Sequence, residues 1–430
     1  MHRTQSALRK AERLGGKDAL NCIAEINEAA LEEAHFQGRK PSEASGMPGE
    51  LLLRGVPILV KDNIDVQGMH TTAGSLALSD NIALSDAPVI KNLRRHGAVI
   101  LGKTNMTEFA NFVSPNMPGG YSSRGGQVIH AINKEVSPSG SSSGSGVAVS
   151  AGIVSMAVGT DTSFSMTACA LFNGICAIKP PIGVLPTQGI IPIAKTLDSP
   201  GPMTDTFLDA LRMYRAMRSE PFPEIKAAPL DRLHIAVNQA NRDIADKIKE
   251  GEEAFLQKTI ARLKEVGAEV DDIVQEPEPL LSTIMKWEFK PLLEDYLRSS
   301  TASRKTLAKI VDYYKANPDT MMKYGIDLLT GALEETPGGL MGEEYLEAMR
   351  YRKTRIEQVR NEIEKYDAVL MTGPSNVMHL CGLPSVTVAA REKNVMGIRH
   401  GVILYGTDEK RLYAAALSIE RLLQEEREET

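Results

Sequence analysis

Closely spaced hydroxyl side chains and one lysine are the features of this chain that could do chemistry. Residues 137–146 read Ser-Pro-Ser-Gly-Ser-Ser-Ser-Gly-Ser-Gly, and residues 159–165 read Gly-Thr-Asp-Thr-Ser-Phe-Ser. Upstream, Lys61 follows the apolar run at 56–60. A serine hydroxyl becomes a good nucleophile only when a base takes its proton, and a second hydroxyl can relay that proton. The three segments together predict acyl transfer without a histidine.

We assign one role to each reactive side chain. Ser165 is the expected nucleophile, Ser141 the proton relay and Lys61 the base. A free lysine has a pKa of about 10.4, but burial lowers a lysine pKa by up to about 3–5 units. The position of Lys61 at the end of an apolar strand makes such burial plausible. The backbone N–H groups of Thr162, Ser163, Phe164 and Ser165 lie on a tight turn and are expected to form the oxyanion hole.

Other interpretations of the serine-rich centre stay open. Residues 137–146 alone have the composition of a flexible linker. Residues 140–144 also match G-x-S-x-G, the nucleophile elbow of α/β-hydrolases, which would make Ser142 the nucleophile of an esterase. That mechanism needs a downstream histidine, and the candidates are His379 and His400. The run lacks the Gly-Lys-Ser/Thr ending of a nucleotide P-loop.

Composition excludes several classes of function. The chain has 430 residues and a net charge of −6, without a basic stripe, so we expect no nucleic-acid partner. No apolar run reaches the roughly 20 residues of a membrane helix, so we expect no membrane partner, and the first residues do not read as a signal peptide. Four scattered cysteines argue against a zinc site or a disulfide framework and favour the cytoplasm.

The order of the predicted elements indicates one α/β domain over residues 1–430. Apolar strands alternate with amphipathic helices, which implies a central sheet between helical layers. We divide the domain into an N-terminal helical segment (1–50), the core with the motifs (50–210), a helix-rich, aromatic part (279–340) and a C-terminal part of the sheet (366–425). The aromatic residues of 279–340 either cap a pocket or fill a local core.

The motifs in their order resemble the amidase signature family. The family pattern is K-D-N-x-D, then a serine- and glycine-rich run, then G-T-D-x-G-G-S. Residues 61–65 match the first part, residues 137–144 the second and residues 159–165 the third. Residues 102–110, 174–181 and 382–388 resemble three further family segments. The likeness is dense over 50–210 and loose over 366–425.

The resemblance implies amide hydrolysis through an acyl-enzyme on a Lys61, Ser141, Ser165 triad, with an unusual cis peptide at Ser141. It implies a central, mixed, mostly parallel twisted sheet with helices on both faces. It also implies no metal and no organic cofactor, a small-molecule amide as substrate, and a monomer or homodimer. Residues 120–127 look like a loop of the bacterial peptide amidase branch that borders the active site. We expect substrate contacts from Met117, Gly119, Arg124 and Thr167.

Two departures from the family pattern bear on activity. Ser163 and Phe164 stand where the family has glycines, and glycine tolerates a positive φ far better than phenylalanine. Thr167 stands where the family's glutaminases often have an arginine that holds a substrate carboxylate. We therefore expect a neutral or apolar amide, such as a peptide, aryl or alkyl amide. The alternative is a catalytically weak member that binds an amide-like ligand.

Overall fold

A computed structural model describes residues 1–38, 51–239, 246–337, 339–371 and 375–425. The strands are β1 Ile23–Ile26, β2 Pro57–Lys61, β3 Val99–Thr104, β4 Tyr121–Ser122, β5 Gly126–Gln127, β6 Met156–Asp161, β7 Cys176–Lys179, β8 Ser199–Thr204, β9 His234–Asn238, β10 Glu269–Ile273, β11 Ala368–Met371, β12 Ser385–Lys393 and β13 Arg399–Tyr405. The helices are α1 His2–Leu14, α2 Ala30–Gly38, α3 Pro88–Arg95, α4 Ser143–Ser150, α5 Thr167–Phe172, α6 Phe207–Met217, α7 Asp246–Glu265, α8 Leu281–Ser299, α9 Leu307–Ala316, α10 Pro318–Met321, α11 Asp327–Glu334, α12 Glu343–Ile363, α13 Val377–Leu380 and α14 Glu409–Gln424.

Eleven of these strands form one mixed sheet in the order β1-β3-β2-β6-β8-β7-β12-β13-β11-β9-β10, and β4 pairs with β5 in a separate hairpin. The expected single α/β fold with a mixed sheet is confirmed. The expectation that parallel pairs predominate is wrong. Four neighbouring pairs among the described strands are parallel (β2 with β3, β2 with β6, β9 with β10, β9 with β11), and the other six are antiparallel. The cause is β8, which lies antiparallel between β6 and β7, and the antiparallel pair β12 and β13 beside them.

Alternate residues of the central strands face two different hydrophobic cores. On β2, Ile58 and Val60 pack in the cluster that includes α3, α6 and α14. Leu59, between them, packs in the cluster that includes α1, α4 and α5. Successive side chains of a strand point to opposite faces of the sheet. The sheet therefore has helices on both faces, and its central strands β2 and β6 are buried along their whole length.

The helix-rich part contains α8, α9, α10 and α11 and has a hydrophobic core of its own. Trp287, Phe289 and Tyr314 are buried in that cluster, together with Phe109 and Phe112. The Phe289 ring lies 4.5 Å from that of Phe112 and 6.0 Å, edge to face, from that of Phe109. Trp287, Phe289 and Tyr314 therefore fill a local core, while Tyr296 of α8 lines a cavity.

Several elements differ from those read from the sequence. The expected N-terminal helical segment (1–50) is not wholly helical, because β1 lies between α1 and α2. The 39–50 part of the expected N-terminal helical segment lies outside the described residues. Within the core with the motifs, Glu108–Asn111 forms a short 3₁₀ turn. Across the described ranges, every helix is too short or too polar to cross a membrane.

Candidate active site

Lys61 is the last residue of β2, and its side chain is fully buried. Its Nζ lies 2.7 Å from Ser141 Oγ, 2.7 Å from Thr160 Oγ1 and 3.3 Å from the Thr160 carbonyl oxygen. Strands β2 and β6 are parallel neighbours, which brings Lys61 to the same sheet edge as Thr160. The amine is therefore surrounded by hydroxyl and carbonyl groups, and no carboxylate pairs with it directly among the described side chains.

This setting changes the proton affinity of the amine. Burial lowers the pKa of Lys61 to about 7, against the more distant charges of Asp161 and Asp198, which favour protonation. Water solvates an ammonium ion much better than a protein interior does, so the neutral amine is favoured. A neutral amine has a lone pair that can take a proton from a hydroxyl, as a general base must.

Ser141 precedes α4, and both its backbone carbonyl and its side chain are hydrogen-bonded. Its peptide bond with Gly140 is cis, as the family resemblance implied. Its carbonyl oxygen accepts the Thr107 N–H at 3.1 Å, and its Oγ contacts Lys61. Gly119 packs against this loop, where a Cβ on Gly119 would lie 2.8 Å from the carbonyl carbon and oxygen of Ser139. The close approach of the two segments fixes the relay hydroxyl next to the base.

Ser165 lies on the turn between β6 and α5, and the Asp161 side chain holds this turn. Oδ2 of Asp161 accepts the Met166 N–H at 2.9 Å, the Thr167 N–H at 3.0 Å and the Thr167 hydroxyl at 3.2 Å. Such bonds satisfy the N–H groups at a helix start that lack a partner within the helix. The Ser165 carbonyl oxygen accepts the Ser142 N–H at 3.1 Å. The expected nucleophile therefore lies beside the loop that carries Ser141.

The four expected oxyanion donors differ in their hydrogen bonding. The N–H of Phe164 donates to Nε2 of His379 at 2.9 Å, so it is not free for a substrate oxygen. That part of our expectation is wrong in this conformation. The N–H groups of Thr162, Ser163 and Ser165 donate to no backbone or side-chain acceptor recorded within the described residues. These three remain the candidate donors.

His379, which contacts this turn, is a residue whose place the sequence did not predict. It lies on α13 and is completely buried, and its ring contacts that of Phe164 with centroids 4.4 Å apart and a tilt of 58°. Thr160 was also missed, although it belongs to the motif at 159–165. The available signal was the position of Thr160 directly before Asp161, whose side chain caps the start of α5. For His379 we find no local sequence signal, because the contact joins residues 215 positions apart.

Phe164 has φ of +65°, a left-handed conformation that costs a residue other than glycine about 1–2 kcal/mol. Its ring is half-buried against the cluster around Met378 and Leu383. In Phe164→Gly, relief of this strain should offset part of the lost packing. We expect the glycine variant to be more stable than Phe164→Ala, which loses the ring and keeps the strain, by about 1 kcal/mol.

Urea unfolding of the wild type and both variants measures this difference. The pair is matched, because alanine and glycine both remove the whole ring. An alanine variant as stable as the glycine variant would show that the turn relaxes without the ring and stores no strain.

The residues expected to contact substrate do not converge. Met117 is buried in the core of the helix-rich part. Arg124 is partly exposed, with Nη1 3.7 Å from Asp62 Oδ2. Thr167 is fully buried, and its hydroxyl donates to Asp161. Thr167 is thus engaged with Asp161 at the start of α5, and Gly119 packs against the Ser141 loop.

Two cavities are lined by residues other than the four that were expected to contact substrate. The larger, of about 570 Å³, is lined by residues 81–85 and 187–190 and by residues of α8. Asp198 and Ile190 line it and also a small cavity of about 10 Å³ that reaches Thr160. That is room for about one water molecule. Burial raises the pKa of Asp198 to about 6, although the Thr162 hydroxyl donates to it at 2.6 Å. None of the four expected substrate residues is part of either lining.

The esterase alternative finds little support in these contacts. The Ser142 hydroxyl is fully buried and donates to the Thr160 carbonyl oxygen at 3.0 Å. His400 stacks on Phe255 and lies 3.1 Å from Glu252. His379 contacts Phe164 and Asp161 instead of Ser142. No histidine within the described residues bonds to the Ser142 hydroxyl.

Comparisons with known proteins agree with this geometry. A family model described as Amidase matches residues 3–380. A probable amidase of Arabidopsis thaliana is 31% identical over 90% of this chain and 78% of its own length. The structure of native peptide amidase from Stenotrophomonas maltophilia superimposes with a TM-score of 0.87 at 28% identity, over 98% of this chain and 93% of that one. A peptide amidase in complex with the competitive inhibitor chymostatin gives a TM-score of 0.86 at 29% identity, over 98% and 93%.

Proposed function

The chain belongs to the amidase family, and we propose that it hydrolyses small neutral amides through an acyl-enzyme formed on Ser165. The observation that carries this proposal is the buried Lys61 amine, 2.7 Å from the Ser141 hydroxyl and with a pKa near 7. Near neutral pH this amine is available to accept a proton through Ser141. A buried lysine without a catalytic role would not require a hydrogen bond to a serine on the loop beside Ser165.

Acylation proceeds as a proton relay. Ser165 Oγ forms a bond to the amide carbon while its proton passes to Ser141, and the Ser141 proton passes to Lys61 Nζ. The tetrahedral oxyanion is stabilised by the N–H groups of Thr162, Ser163 and Ser165. The C–N bond then breaks, and the proton returns from Lys61 through Ser141 to the leaving nitrogen. The products of this half-reaction are ammonia or an amine and the Ser165 ester.

Deacylation uses the same groups in the same order. Water attacks the ester carbon while its proton passes through Ser141 to Lys61, and the C–O bond to Ser165 then breaks with return of the proton to Ser165 Oγ. The product is a carboxylic acid. The steps balance without a redox partner, and the base is neutral again at the end of each cycle.

The substrate class is proposed from the chemistry near Ser165. Thr167 is engaged with Asp161, and no arginine stands at that position to bind a substrate carboxylate. The peptide amidase neighbour supports a blocked amino-acid or peptide amide as the acyl donor. The four free, buried cysteines favour a reducing compartment such as the cytoplasm, and we propose a monomer or homodimer.

A panel of amides tests the proposal and its substrate class. We expect release of ammonia from N-acetyl-leucine amide with kcat/KM at least about 100-fold above that for free glutamine, because a desolvated carboxylate without a partner costs binding energy. Esterifying the glutamine α-carboxylate should recover part of the difference, since shape is kept while charge is removed. Equal rates for free glutamine and the blocked amide would contradict the neutral-amide assignment.

One observation favours the weaker-enzyme alternative. Because the Phe164 N–H is taken by His379, the oxyanion hole has one donor fewer than the four expected. Adding a peptide aldehyde to this panel separates the two functions. A binding protein would bind the aldehyde but release no ammonia from any amide.

A further inference from the structure

His379 and Phe164 form a hydrogen-bonded pair with tilted rings in contact at the nucleophile turn. The Phe164 N–H donates to Nε2 at 2.9 Å, and the two rings lie 4.4 Å apart at 58°. His379 is completely buried on α13, next to the loop that leads into β12. The pair therefore ties the C-terminal part of the sheet to the residue that immediately precedes Ser165.

The geometry defines which nitrogen of His379 carries the proton. A ring nitrogen accepts an N–H only when it has a free lone pair, so Nε2 is unprotonated and the neutral ring carries its proton on Nδ1. Asp161 Oδ1, 3.1 Å from Nε2, and His379 Nδ1 both lack a hydrogen-bond partner among the described groups. The competing tautomer, in which Nε2 donates to Asp161, would pair the carboxylate but leave the Phe164 N–H without its acceptor. The 2.9 Å hydrogen bond from Phe164 is the observation that favours an unprotonated Nε2.

Charged groups on two strands face this ring. Asp161 on β6 favours its protonation and Lys179 on β7 opposes it. Burial is the larger influence and lowers the pKa of His379, so the ring is neutral near neutral pH and can accept a hydrogen bond at one of its nitrogens. The charge balance agrees with the hydrogen-bond geometry.

The strained backbone conformation of the turn depends on this hydrogen-bond acceptor. Phe164 holds φ of +65°, which side chains other than glycine adopt only when their surroundings enforce it. A buried N–H without an acceptor is costly, so loss of the bond would favour rotation of the peptide before Phe164. That rotation would move the N–H groups of Ser163 and Ser165 on either side of it.

We infer that His379 is a positioning residue of the amidase reaction, which fixes the oxyanion turn and Ser165 by accepting the Phe164 N–H. The inference rests on the proposed function of Ser165. His379 itself transfers no proton and contacts no reacting atom. Its role is to hold a strained backbone segment whose neighbouring N–H groups stabilise the tetrahedral intermediate.

Two substitutions separate the acceptor from the bulk of the ring. His379→Gln keeps an oxygen acceptor at comparable reach, and His379→Leu removes the acceptor and keeps an apolar side chain. We expect the leucine variant to lose about 100-fold in kcat with KM changed less than about threefold, the pattern of a lost transition-state interaction. The glutamine variant should stay within about fivefold of the wild type. His400→Leu, at a second buried histidine that stacks on Phe255, is the matched control and should keep its kcat.

Each kcat is calculated from the concentration of active sites, which is measured by titration with a fluorophosphonate. Unfolded protein is therefore excluded from the enzyme concentration. Equal losses in the leucine and glutamine variants, or no loss in either, overturn the inference, provided that the wild type is active and Ser165→Ala is not. An inactive wild type, or an active Ser165→Ala, overturns the proposed function instead.

A measurement on the wild type decides the matter if the leucine variant does not fold. The ¹⁵N resonances of His379, assigned by their loss in His379→Gln, report the tautomer at pH 7. An unprotonated Nε2 supports the inference. A proton on Nε2 means donation to Asp161 and overturns it.

Discussion

Ser165→Ala should lose amide hydrolysis by about 10,000-fold or more in kcat while keeping the melting temperature of the wild type. The hydroxyl forms the bond to substrate, and the remaining oxyanion donors alone supply only residual catalysis. Little stability should be lost, because the turn is held by its backbone and by Asp161 rather than by the Ser165 side chain. Release of ammonia and thermal unfolding measure the two effects.

Ser163→Ala is the matched control for this substitution. Ser163 lies on the same turn, contributes a backbone N–H that alanine retains, and is half-buried. Its kcat should stay within about tenfold of the wild type, the range of small positioning effects. Peptide mapping after fluorophosphonate treatment should find the label on Ser165. A label on Ser142, or wild-type turnover by Ser165→Ala, would reject the assignment.

Lys61→Arg and Lys61→Met should both lower kcat by about 100- to 10,000-fold, the range for loss of a general base. Arginine stays protonated at every accessible pH and methionine has no basic nitrogen. In the wild type, kcat/KM should rise with pH to a plateau, with a midpoint near the Lys61 pKa of about 7. Lys103→Met is the control, since this buried lysine donates to the His70 carbonyl oxygen at 2.7 Å instead of to a serine.

The same pKa predicts a stability effect with a defined sign. Between about pH 7 and 10.5 the unfolded chain carries a proton on Lys61 that the folded protein does not. The free energy of unfolding contributed by this group therefore rises with pH across that window and is lowest below about pH 7. Relative to Lys61→Met, the wild type should gain stability between pH 7 and pH 9.5 in urea titrations. A constant difference would mean that Lys61 is protonated in the folded state, and the base assignment would be lost.

The sequence was a good guide to the reactive side chains because they occur in short motifs with fixed local geometry. Lys61 and Ser141 were predicted as partners from their motifs, and the structure brings them to 2.7 Å. The single α/β domain was also predictable, since strands β2, β3, β6 and β11 are apolar runs between helical patterns. The short strand β1 was missed because its four residues are all half-buried and lack a clear alternation.

Strand direction and distant contacts were not predictable in the same way. The strand β8 reads Ser-Pro-Gly-Pro-Met-Thr, and its two prolines argue locally against a central strand, yet it pairs with both β6 and β7. Packing against two neighbours overrides that local preference. The Phe164–His379 bond depends on where α13 meets the turn after β6, which no local pattern encodes.

The long separation between Phe164 and His379 has a consequence for the synthesis of the protein. Lys61, Ser141 and Ser165 are all synthesised within the first 165 residues, and the strand that ends at Lys61 is a neighbour of the strand that precedes the Ser165 turn. His379 follows Ser165 by 214 residues, which at about 5–20 residues per second takes roughly 10–40 s to translate. The nascent chain therefore carries its reactive serine for about half of its elongation before His379, which accepts a hydrogen bond from the turn, has been made. Completion of the C-terminal strands, rather than synthesis of the serine motif, times the assembly of the site.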